Sequence, residues 1–304
     1  MNPLRQVYSL EDLRSWTQAT APMQLAVLGS PVAHSASPPM HQAALRACGL
    51  PHTYGRLHVL PAELPEALAL LQQTGFIGVN LTLPHKTAVL PLLSHPDPNA
   101  KTLGAVNTVA FAAGATSGFN TDGAGLERSV SESFGVELSS LSVLILGSGG
   151  GAGRAISLYC GLAGCPEITL VNRTLSKAEE LATQLRALPS PPRVHVAAPG
   201  SEALRPHAKE ARLILQCSSL GMQQDDPSPL DASLLHPDHL VYDTIYSTPT
   251  RLLRDAAAAG ARTANGLSML LHQGALAFEI WFQRPAPLEL MREALLRAVS
   301  PSTS

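Results

Sequence analysis

The sequence predicts an α/β protein of two domains, each built on a mostly parallel sheet. Two short apolar runs, at 25–28 and 143–146, each end in a glycine-containing turn, which is typical of buried parallel strands. Helical patterns alternate with strand patterns after both runs, and this alternation favours parallel sheets. The chain has 304 residues, which suffices for about two domains of ~100–200 residues each.

The first half begins with a strand and continues in strict alternation. We predict, in order, a strand at 25–28, a helix at 37–48, a strand at 54–59, a helix at 63–73 and a strand at 77–81. A hairpin follows, from 105–111 to the residues around Phe119, with glycines in its turn. Ser37 is expected to cap the first helix, because serine is a favourable N-cap and Pro38 suits the first turn.

The second half repeats the alternation. We predict a helix at 152–162, a strand at 168–171, a helix at 176–188, strands at 194–197, 213–215 and 240–242, and helices at 266–282 and 288–299. The predicted domains are 1–122, which includes an N-terminal extension at 1–22, then 123–265, and a C-terminal helical segment at 266–304.

Composition excludes several classes of protein. A net charge of −2 and 4% aromatic residues give no basis for binding nucleic acid or an anionic membrane. No apolar run reaches the ~20 residues of a membrane span, and the first 22 residues lack the apolar core of a secretory signal. The four cysteines have no metal-binding spacing. We therefore expect a soluble, cytoplasmic protein, a monomer or homodimer, that acts on a small-molecule substrate without a metal.

The second apolar strand leads into a glycine loop that opens a helix. The loop comprises Gly147, Ser148, Gly149, Gly150, Gly151 and Ala152. Glycines let the backbone approach a pyrophosphate, and the free N–H groups of the following helix point at its negative charge. The strand, loop and helix together predict a Rossmann-type dinucleotide-binding domain.

The end of the next strand indicates which dinucleotide is bound. Enzymes that read the ribose 2′-OH of NAD place an acidic residue about twenty residues beyond the glycines. Here the chain has Asn172, Arg173 and Thr174, followed by Lys177. Arg173 can form paired hydrogen bonds to a phosphate, and cations at a helix start oppose the helix dipole unless an anion is bound. The predicted cofactor is NADP(H).

Polar residues of the first domain indicate a place for an oxygenated ligand. Ser35 and Ser37 enter a helix and can present both hydroxyls on one side, next to free N–H groups that suit a carboxylate. Lys86 follows the carboxyl end of a strand, where ligands of open α/β sheets gather. Asn107 and Asp122 are further candidates. Reduction of a ketone needs a proton donor, which lysine or aspartate can supply, but spacing alone does not pair Lys86 with Asp122.

Taken together, these segments resemble the shikimate dehydrogenase family from about Leu25 to the C-terminal helices. The matching segments are Gly29–Pro38, Asn80–Lys86, Gly104–Thr108, Asn120–Gly123, the glycine loop at 147–153, Asn172–Thr174, Tyr242–Tyr246 and Gly266–Gln273. The order of these motifs makes the resemblance highly specific. It implies reversible NADP-dependent reduction of 3-dehydroshikimate to shikimate, in a cleft between a substrate domain and a Rossmann-type domain. The last helices are expected to return to the substrate domain.

The resemblance also assigns roles to individual residues. Lys86 is implied as the catalytic acid/base, with Asp122 as its partner. The implied substrate-binding residues are Ser35, Ser37, Asn80, Thr82, Asn107, Tyr246 and Gln273. The implied cofactor-binding residues are the glycine loop from Gly147 to Ala152, Asn172, Arg173, Thr174 and Lys177, with Ser218, Thr244 and Gly266.

This sequence departs from the family pattern in three places. The glycine loop has one residue more than the usual spacing, and Gly151 is the predicted insertion. Gln216 and Cys217 stand where the family commonly has Asn-Ala, with Ser218 offering a hydroxyl in place of threonine. Ser268 replaces a frequent glycine. None of these removes a predicted catalytic group.

Several other functions remain open at the level of sequence. A quinate/shikimate or amino-shikimate dehydrogenase would use the same chemistry on a related ring. A non-catalytic sensor of pathway metabolites would keep the fold without turnover, but the Lys86 and Asp122 set argues against it. A structural NADP-binding module would explain Arg173 and leave the polar residues of the first domain without a purpose.

Overall fold

Strands and helices alternate through both halves of the chain, as the apolar patterns predict. The computed structural model describes residues 7–16, 23–112 and 114–300. The strands are β1 (Val7–Ser9), β2 (Met23–Gly29), β3 (Thr53–His58), β4 (Gly78–Leu81), β5 (His95–Pro96), β6 (Thr108–Ala112), β7 (Ala115–Phe119), β8 (Ser142–Leu146), β9 (Glu167–Val171), β10 (Arg193–Ala197), β11 (Leu213–Gln216), β12 (Leu240–Asp243) and β13 (Arg262–Asn265). The α-helices are α1 (Leu10–Arg14), α2 (Ser37–Ala47), α3 (Leu64–Gln73), α4 (His85–Ala88), α5 (Pro98–Leu103), α6 (Asp122–Phe134), α7 (Gly151–Leu162), α8 (Leu175–Arg186), α9 (Leu204–Glu210), α10 (Arg251–Ala258), α11 (Leu267–Phe282) and α12 (Leu288–Val299).

The described residues divide into two compact units. The first unit runs to Asp122 and resumes at Leu270, and the second unit is Gly123–Met269. The second boundary therefore falls inside α11. At 16 residues, α11 is shorter than the ~20 residues that span a bilayer. Across the described part of the chain, no helix combines the length and the apolar character needed to cross a membrane.

The first unit contains a mixed sheet with strand order β1-β3-β2-β4-β6-β7-β5. The four strands on the β1 side are parallel, and β6 pairs antiparallel with both β4 and β7. Apolar residues of β2, β3, β4 and α3 form its buried core. Helix α2 packs against α12. The N-cap of α2 is Ala36 and not the predicted Ser37, which is the first helical residue; this leaves the Ser37 hydroxyl free for other partners.

The N-terminal extension contributes an edge strand to this unit. Of the predicted segment 1–22, residues 1–6 and 17–22 lie outside the described residues. Strand β1 pairs in parallel with β3, and Ser9 caps α1 through the backbone N–H of Asp12. The guanidinium of Arg14 forms an exposed ion pair with Glu66 of α3, at 2.7 Å. This part of the extension is therefore integrated into the fold, which the sequence did not predict.

The second unit contains an all-parallel sheet with strand order β10-β9-β8-β11-β12-β13. Renumbered along this unit, the order is 3-2-1-4-5-6, which defines the Rossmann fold. All but the first residue of β8 are buried, as expected for a central strand covered on both faces. The predicted α/β class, with one mostly parallel sheet and one Rossmann-type sheet, is confirmed.

Candidate active site

Lys86 and Asp122 form an ion pair within the first unit. Lys86 lies in α4, the short helix that follows the turn after β4, and its carbonyl accepts a hydrogen bond from the Val106 N–H at 2.7 Å. Asp122 is the first residue of α6, where a carboxylate complements the helix dipole. The Lys86 Nζ donates to Asp122 Oδ2 at 2.6 Å, and the two side chains are 25% and 13% exposed. The ammonium group is thus held in a defined position and still reaches solvent.

Asn107 lies at the centre of the polar groups around this pair. Its buried Nδ2 is within hydrogen-bonding distance of Thr121 Oγ1 at 2.9 Å, Asp122 Oδ1 at 3.0 Å and Gln273 Oε1 at 3.3 Å. Its Oδ1 accepts the Thr121 N–H at 2.8 Å. Gln273, on α11, also donates to the Leu270 carbonyl at 2.8 Å. Four of the predicted residues, Lys86, Asp122, Asn107 and Gln273, therefore belong to one hydrogen-bonded network.

Asn80 supports that network from β4. Its buried Nδ2 donates to the Asn107 carbonyl at 3.1 Å and to Thr108 Oγ1 at 3.0 Å. Its Oδ1 accepts the phenol of Tyr54 at 2.7 Å. Both Asn80 amide hydrogens are thereby used by the protein, and this places Asn80 as a support of neighbouring groups.

The serine pair lies at the start of α2. The Ser37 N–H donates to Ser35 Oγ at 3.3 Å. Arg56 of β3 donates from Nε at 3.2 Å and from Nη2 at 2.7 Å to the Ser35 carbonyl. Arg56 therefore holds the backbone beside the serine pair.

Two predicted substrate residues lie outside these hydrogen-bonded groups. Thr82 follows β4, donates its N–H to the Leu28 carbonyl at 2.9 Å and is half-buried. Tyr246 follows β12 in the second unit and is also half-buried. Burial raises the pKa of the Tyr246 phenol.

In the second unit, the predicted glycine loop connects β8 to α7. Gly147 has a φ of +79°, a conformation that favours glycine. A Cβ at Gly153 would lie 2.2 Å from the Gly147 carbonyl oxygen, whereas a Cβ at Gly151 would meet nothing within 4 Å. Gly150 is the N-cap of α7 and supplies no side-chain cap. The first N–H groups of this helix are therefore available to an anion.

The predicted insertion, Gly151, is accommodated as the first residue of α7. Of the other loop residues, Ser148 is fully buried, with its hydroxyl 3.4 Å from the Val171 carbonyl, and Ala152 is exposed. Gly151 thus lies on the open side of the loop, where a Cβ would meet nothing within 4 Å, whereas Ser148 lies on its packed side.

The residues after β9 complete the same edge of the sheet. The Asn172 Oδ1 accepts the Gly149 N–H at 3.1 Å, and its Nδ2 donates to the Thr174 carbonyl at 2.8 Å. Thr174 is the N-cap of α8 without a side-chain cap. Arg173 and Lys177 are exposed and have no ion-pair partner among the described residues. Two unpaired cations at an uncapped helix start fit a bound phosphate.

Ser218, Thr244 and Gly266 follow three further strands on this edge. The Thr244 Oγ1 donates to the Gln216 carbonyl at 2.9 Å, and a Cβ at Gly266 would lie 2.1 Å from the Thr244 carbonyl oxygen. Buried Gln216 accepts the Ser218 N–H at 3.1 Å and donates to the Leu220 carbonyl at 2.7 Å. The residue that departs from the family pattern thus holds the turn after β11 in place.

Sequence reasoning missed Arg56, Tyr54 and Thr121, which hold the predicted residues in place. A signal for two of them was available. Tyr54 and Arg56 are two residues apart in a predicted strand, so they share one face, and arginine in a buried strand is rarely without a bound partner. Thr121 carries no such signal, since its role depends on a contact with Asn107 formed only in the fold.

The fold and the site define the class of the protein. It is an oxidoreductase with a Rossmann-type sheet in one unit and a lysine–carboxylate pair in a second α/β unit.

Comparison with known proteins narrows this class to a family. Residues 27–109 match the shikimate dehydrogenase substrate binding domain, and residues 266–296 match the shikimate 5′-dehydrogenase C-terminal domain. The shikimate dehydrogenase (NADP(+)) of Symbiobacterium thermophilum is 46% identical over 278 residues, which are 90% of this chain and 94% of that protein.

Two solved structures extend the comparison. The Thermus thermophilus shikimate 5-dehydrogenase in complex with NADP(H) and shikimate is 37% identical with a TM-score of 0.81, covering 91% of this chain and 99% of that one. The Corynebacterium glutamicum quinate dehydrogenase in complex with NAD is 29% identical with a TM-score of 0.82, covering 90% of this chain and 99% of that one. The chain belongs to the shikimate dehydrogenase family.

Proposed function

We propose that this chain catalyses the reversible, NADP-dependent reduction of 3-dehydroshikimate to shikimate, with Lys86 as the acid/base. The observation that carries the proposal is the 2.6 Å contact between Lys86 Nζ and Asp122 Oδ2, next to buried amides that can bind hydroxyl groups. An ammonium group that is oriented and still partly exposed suits proton transfer to a substrate oxygen.

In the proposed reduction, NADPH, when bound at the glycine loop, would supply a hydride for the ketone carbon. The Lys86 ammonium donates its proton to the ketone oxygen, which becomes the hydroxyl group, and Lys86 is left as the neutral amine. Asp122 holds the lysine side chain through the hydrogen bond to Oδ2. In the oxidation direction, the Lys86 amine accepts the hydroxyl proton as the hydride leaves.

The remaining residues of the first unit are proposed to orient the substrate. The Ser35 and Ser37 hydroxyls and the first N–H groups of α2 are proposed to bind its carboxylate, because an anion is favourable at a helix N-terminus. Asn107 and Gln273 are proposed to bind ring hydroxyls with Thr82, and Asn80 to hold Asn107 from behind. Tyr246 of the second unit is proposed as a further substrate contact.

The second unit is proposed to bind NADP(H). The N–H groups of the loop from Gly147 to Ala152 would hold the pyrophosphate. Arg173 and Lys177 would bind the 2′-phosphate, with Asn172 and Thr174 beside them. Ser218, Thr244 and Gly266, which follow neighbouring strands, would line the nicotinamide side. Open space around Gly151, where a Cβ would meet nothing within 4 Å, supports this assignment, since a close approach of phosphate needs uncovered backbone.

A substrate and cofactor panel tests the proposal. Purified chain is mixed with shikimate or quinate and with NADP⁺ or NAD⁺, and absorbance of the reduced cofactor gives kcat/KM for each pair. We expect shikimate with NADP⁺ to give the highest value. Equal values for quinate would favour the broader quinate/shikimate activity, and quinate with NAD⁺ as the best pair would reject the assignment. Tight binding of shikimate without turnover would favour a sensor.

We further propose that the protein works in the cytoplasm as a monomer or homodimer. The four cysteines are unpaired thiols, which suits a reducing compartment. Sedimentation of the purified chain would measure its oligomeric state.

A further inference from the structure

A cluster of metal-ligand side chains lies in the second unit, at the opposite end of its strands from the glycine loop. Glu167 is the first residue of β9, His195 lies on the edge strand β10, and His207 lies on α9. One ligand atom from each of the three lies within 4.8 Å of the others. We propose that this Glu167–His195–His207 cluster is a binding site for Zn²⁺.

Strand register brings the three side chains to one face of the sheet. In the parallel pairing of β9 with β10, Glu167 lies opposite Arg193, and Thr169 lies opposite His195. Because side chains two residues apart share a face, Glu167 and His195 project to the same side. The imidazole of His207 stacks on that of His195 with ring centroids 4.1 Å apart.

The distances fit a bridging ion better than a direct hydrogen bond. His195 Nε2 lies 3.5 Å from Glu167 Oε1, beyond the ~2.7–3.2 Å of a good N–H···O hydrogen bond. Ligands ~2.0–2.2 Å from a tetrahedral Zn²⁺ lie about 3.4 Å apart. These two atoms already have that separation, and a ligand atom of His207 lies within 4.8 Å of both residues' ligand atoms.

The polar atoms around the cluster are also consistent with a ligand. The Nδ1 of His207 is buried and has no hydrogen-bond partner in the described residues, and such groups are uncommon in folded proteins. The guanidinium of Arg193 binds Glu167 Oε2 at 2.7 Å, which leaves Oε1 directed at His195. Arg193 is 77% exposed, so solvent screens its repulsion of a cation.

The ligand set indicates the class of metal. Two imidazoles and one carboxylate suit borderline ions such as Zn²⁺, with water in the fourth position. The ion would connect β9, the edge strand β10 and α9. Because the glycine loop and Asn172–Lys177 follow the carboxyl ends of β8 and β9, whereas Glu167 lies at the amino end of β9, we expect Zn²⁺ to stabilise the second unit without changing the KM for NADP⁺.

Zinc binding to the tag-free full chain tests this proposal. Competition with a chromophoric chelator measures stoichiometry and affinity, and thermal unfolding measures stabilisation. We expect about one Zn²⁺ per chain and a higher Tm with Zn²⁺. Glu167→Gln and His195→Ala should each weaken binding at least about tenfold and abolish the rise in Tm. His95→Ala, which removes an exposed histidine of the first unit, should change neither.

The same titration can overturn the proposal in two ways. Wild-type chain that binds no Zn²⁺ at tenfold excess would do so, as would equal affinity in wild type and in both ligand variants. A second close pair of imidazoles, His236 and His239, with ring centroids 3.7 Å apart, provides the competing location. Loss of binding in His236→Ala, together with normal binding in His195→Ala, would assign the ion to that pair and reject the proposed cluster.

Discussion

The two units present their polar groups in opposite ways. In the first unit, the amides and hydroxyls around Lys86 are buried and bonded to each other, as the contacts of Asn107 show. In the second unit, the corresponding edge consists of glycine backbone and of exposed cations such as Arg173. A small polar ring needs side chains fixed in advance, whereas a dinucleotide phosphate needs open N–H groups and charge. Substitutions that alter one arrangement at a time separate the two roles.

The largest effect is expected where the glycine loop packs against itself. Gly153→Ala places a Cβ 2.2 Å from a backbone oxygen, which cannot move without reshaping the loop. We expect a loss of more than about 3 kcal/mol in the free energy of unfolding, measured by urea denaturation. Gly151→Ala is the matched control, because a Cβ there meets nothing within 4 Å. Equal destabilisation by both would contradict the loop geometry.

Removal of the Arg173 side chain should weaken the binding of NADP⁺ and leave the binding of shikimate unchanged. Arg173→Ala loses charge-assisted hydrogen bonds worth ~1.5–3 kcal/mol, so the KM for NADP⁺ should rise roughly 10- to 100-fold. The KM for shikimate should change little, and NAD⁺ should be affected much less than NADP⁺. Lys209→Ala removes another exposed cation of this unit and should leave the KM values for NADP⁺ and shikimate unchanged. A parallel rise for shikimate would argue against a role at the 2′-phosphate.

A substitution of Arg56 tests the proposed substrate-binding residues of the first unit. It is a positioning residue, because its guanidinium holds the Ser35 carbonyl and is proposed to act through the serine pair. Arg56→Met should raise the KM for shikimate about tenfold, which is ~1.4 kcal/mol, and leave the KM for NADP⁺ nearly unchanged. Arg56→Lys keeps one donor and should recover part of the loss. An unchanged KM for shikimate in a folded Arg56→Met protein would show that Arg56 does not position the serine pair for the substrate.

The smallest effect is expected at a buried histidine. Burial lowers the pKa of His41 to about 3, and neither ring nitrogen has a hydrogen-bond partner in the described residues. The unfolded chain binds a proton below pH ~6.5 while folded His41 stays neutral, so stability falls as the pH drops from 6.5 towards 3. His41→Phe should raise stability at pH 7 by about 1 kcal/mol.

The pH dependence provides the control for that variant. His41→Phe keeps an aromatic ring against Tyr54, on which His41 stacks. Between pH 6.5 and 4, its free energy of unfolding should fall less steeply than that of wild type. Identical slopes would mean that His41 is protonated in the folded protein.

Sequence patterns predicted most of the strands and the glycine loop, because each is a local feature, but not β5 or β13. The apolar run at 143–146 fixes β8, and Asn172–Thr174, at the place where NAD enzymes carry an acidic residue, indicates the cofactor. The sequence did not predict that β1 joins the sheet, since its pairing with β3 is a long-range contact. Neither could it show that Asn107 contacts Asp122 and Gln273, which are 15 and 166 residues away along the chain.

The most direct test of the account is hydride transfer in Lys86→Ala with NADPH already bound. The rate of NADPH oxidation on mixing with 3-dehydroshikimate should fall by ~10²–10⁴-fold, the usual contribution of a general acid. The Kd for NADPH, measured by its fluorescence on the same preparation, should stay within about twofold of wild type, since Lys86 lies outside the unit with the glycine loop. Lys101→Ala, at an exposed lysine of the first unit, should match wild type in both. A normal rate in Lys86→Ala would contradict the account.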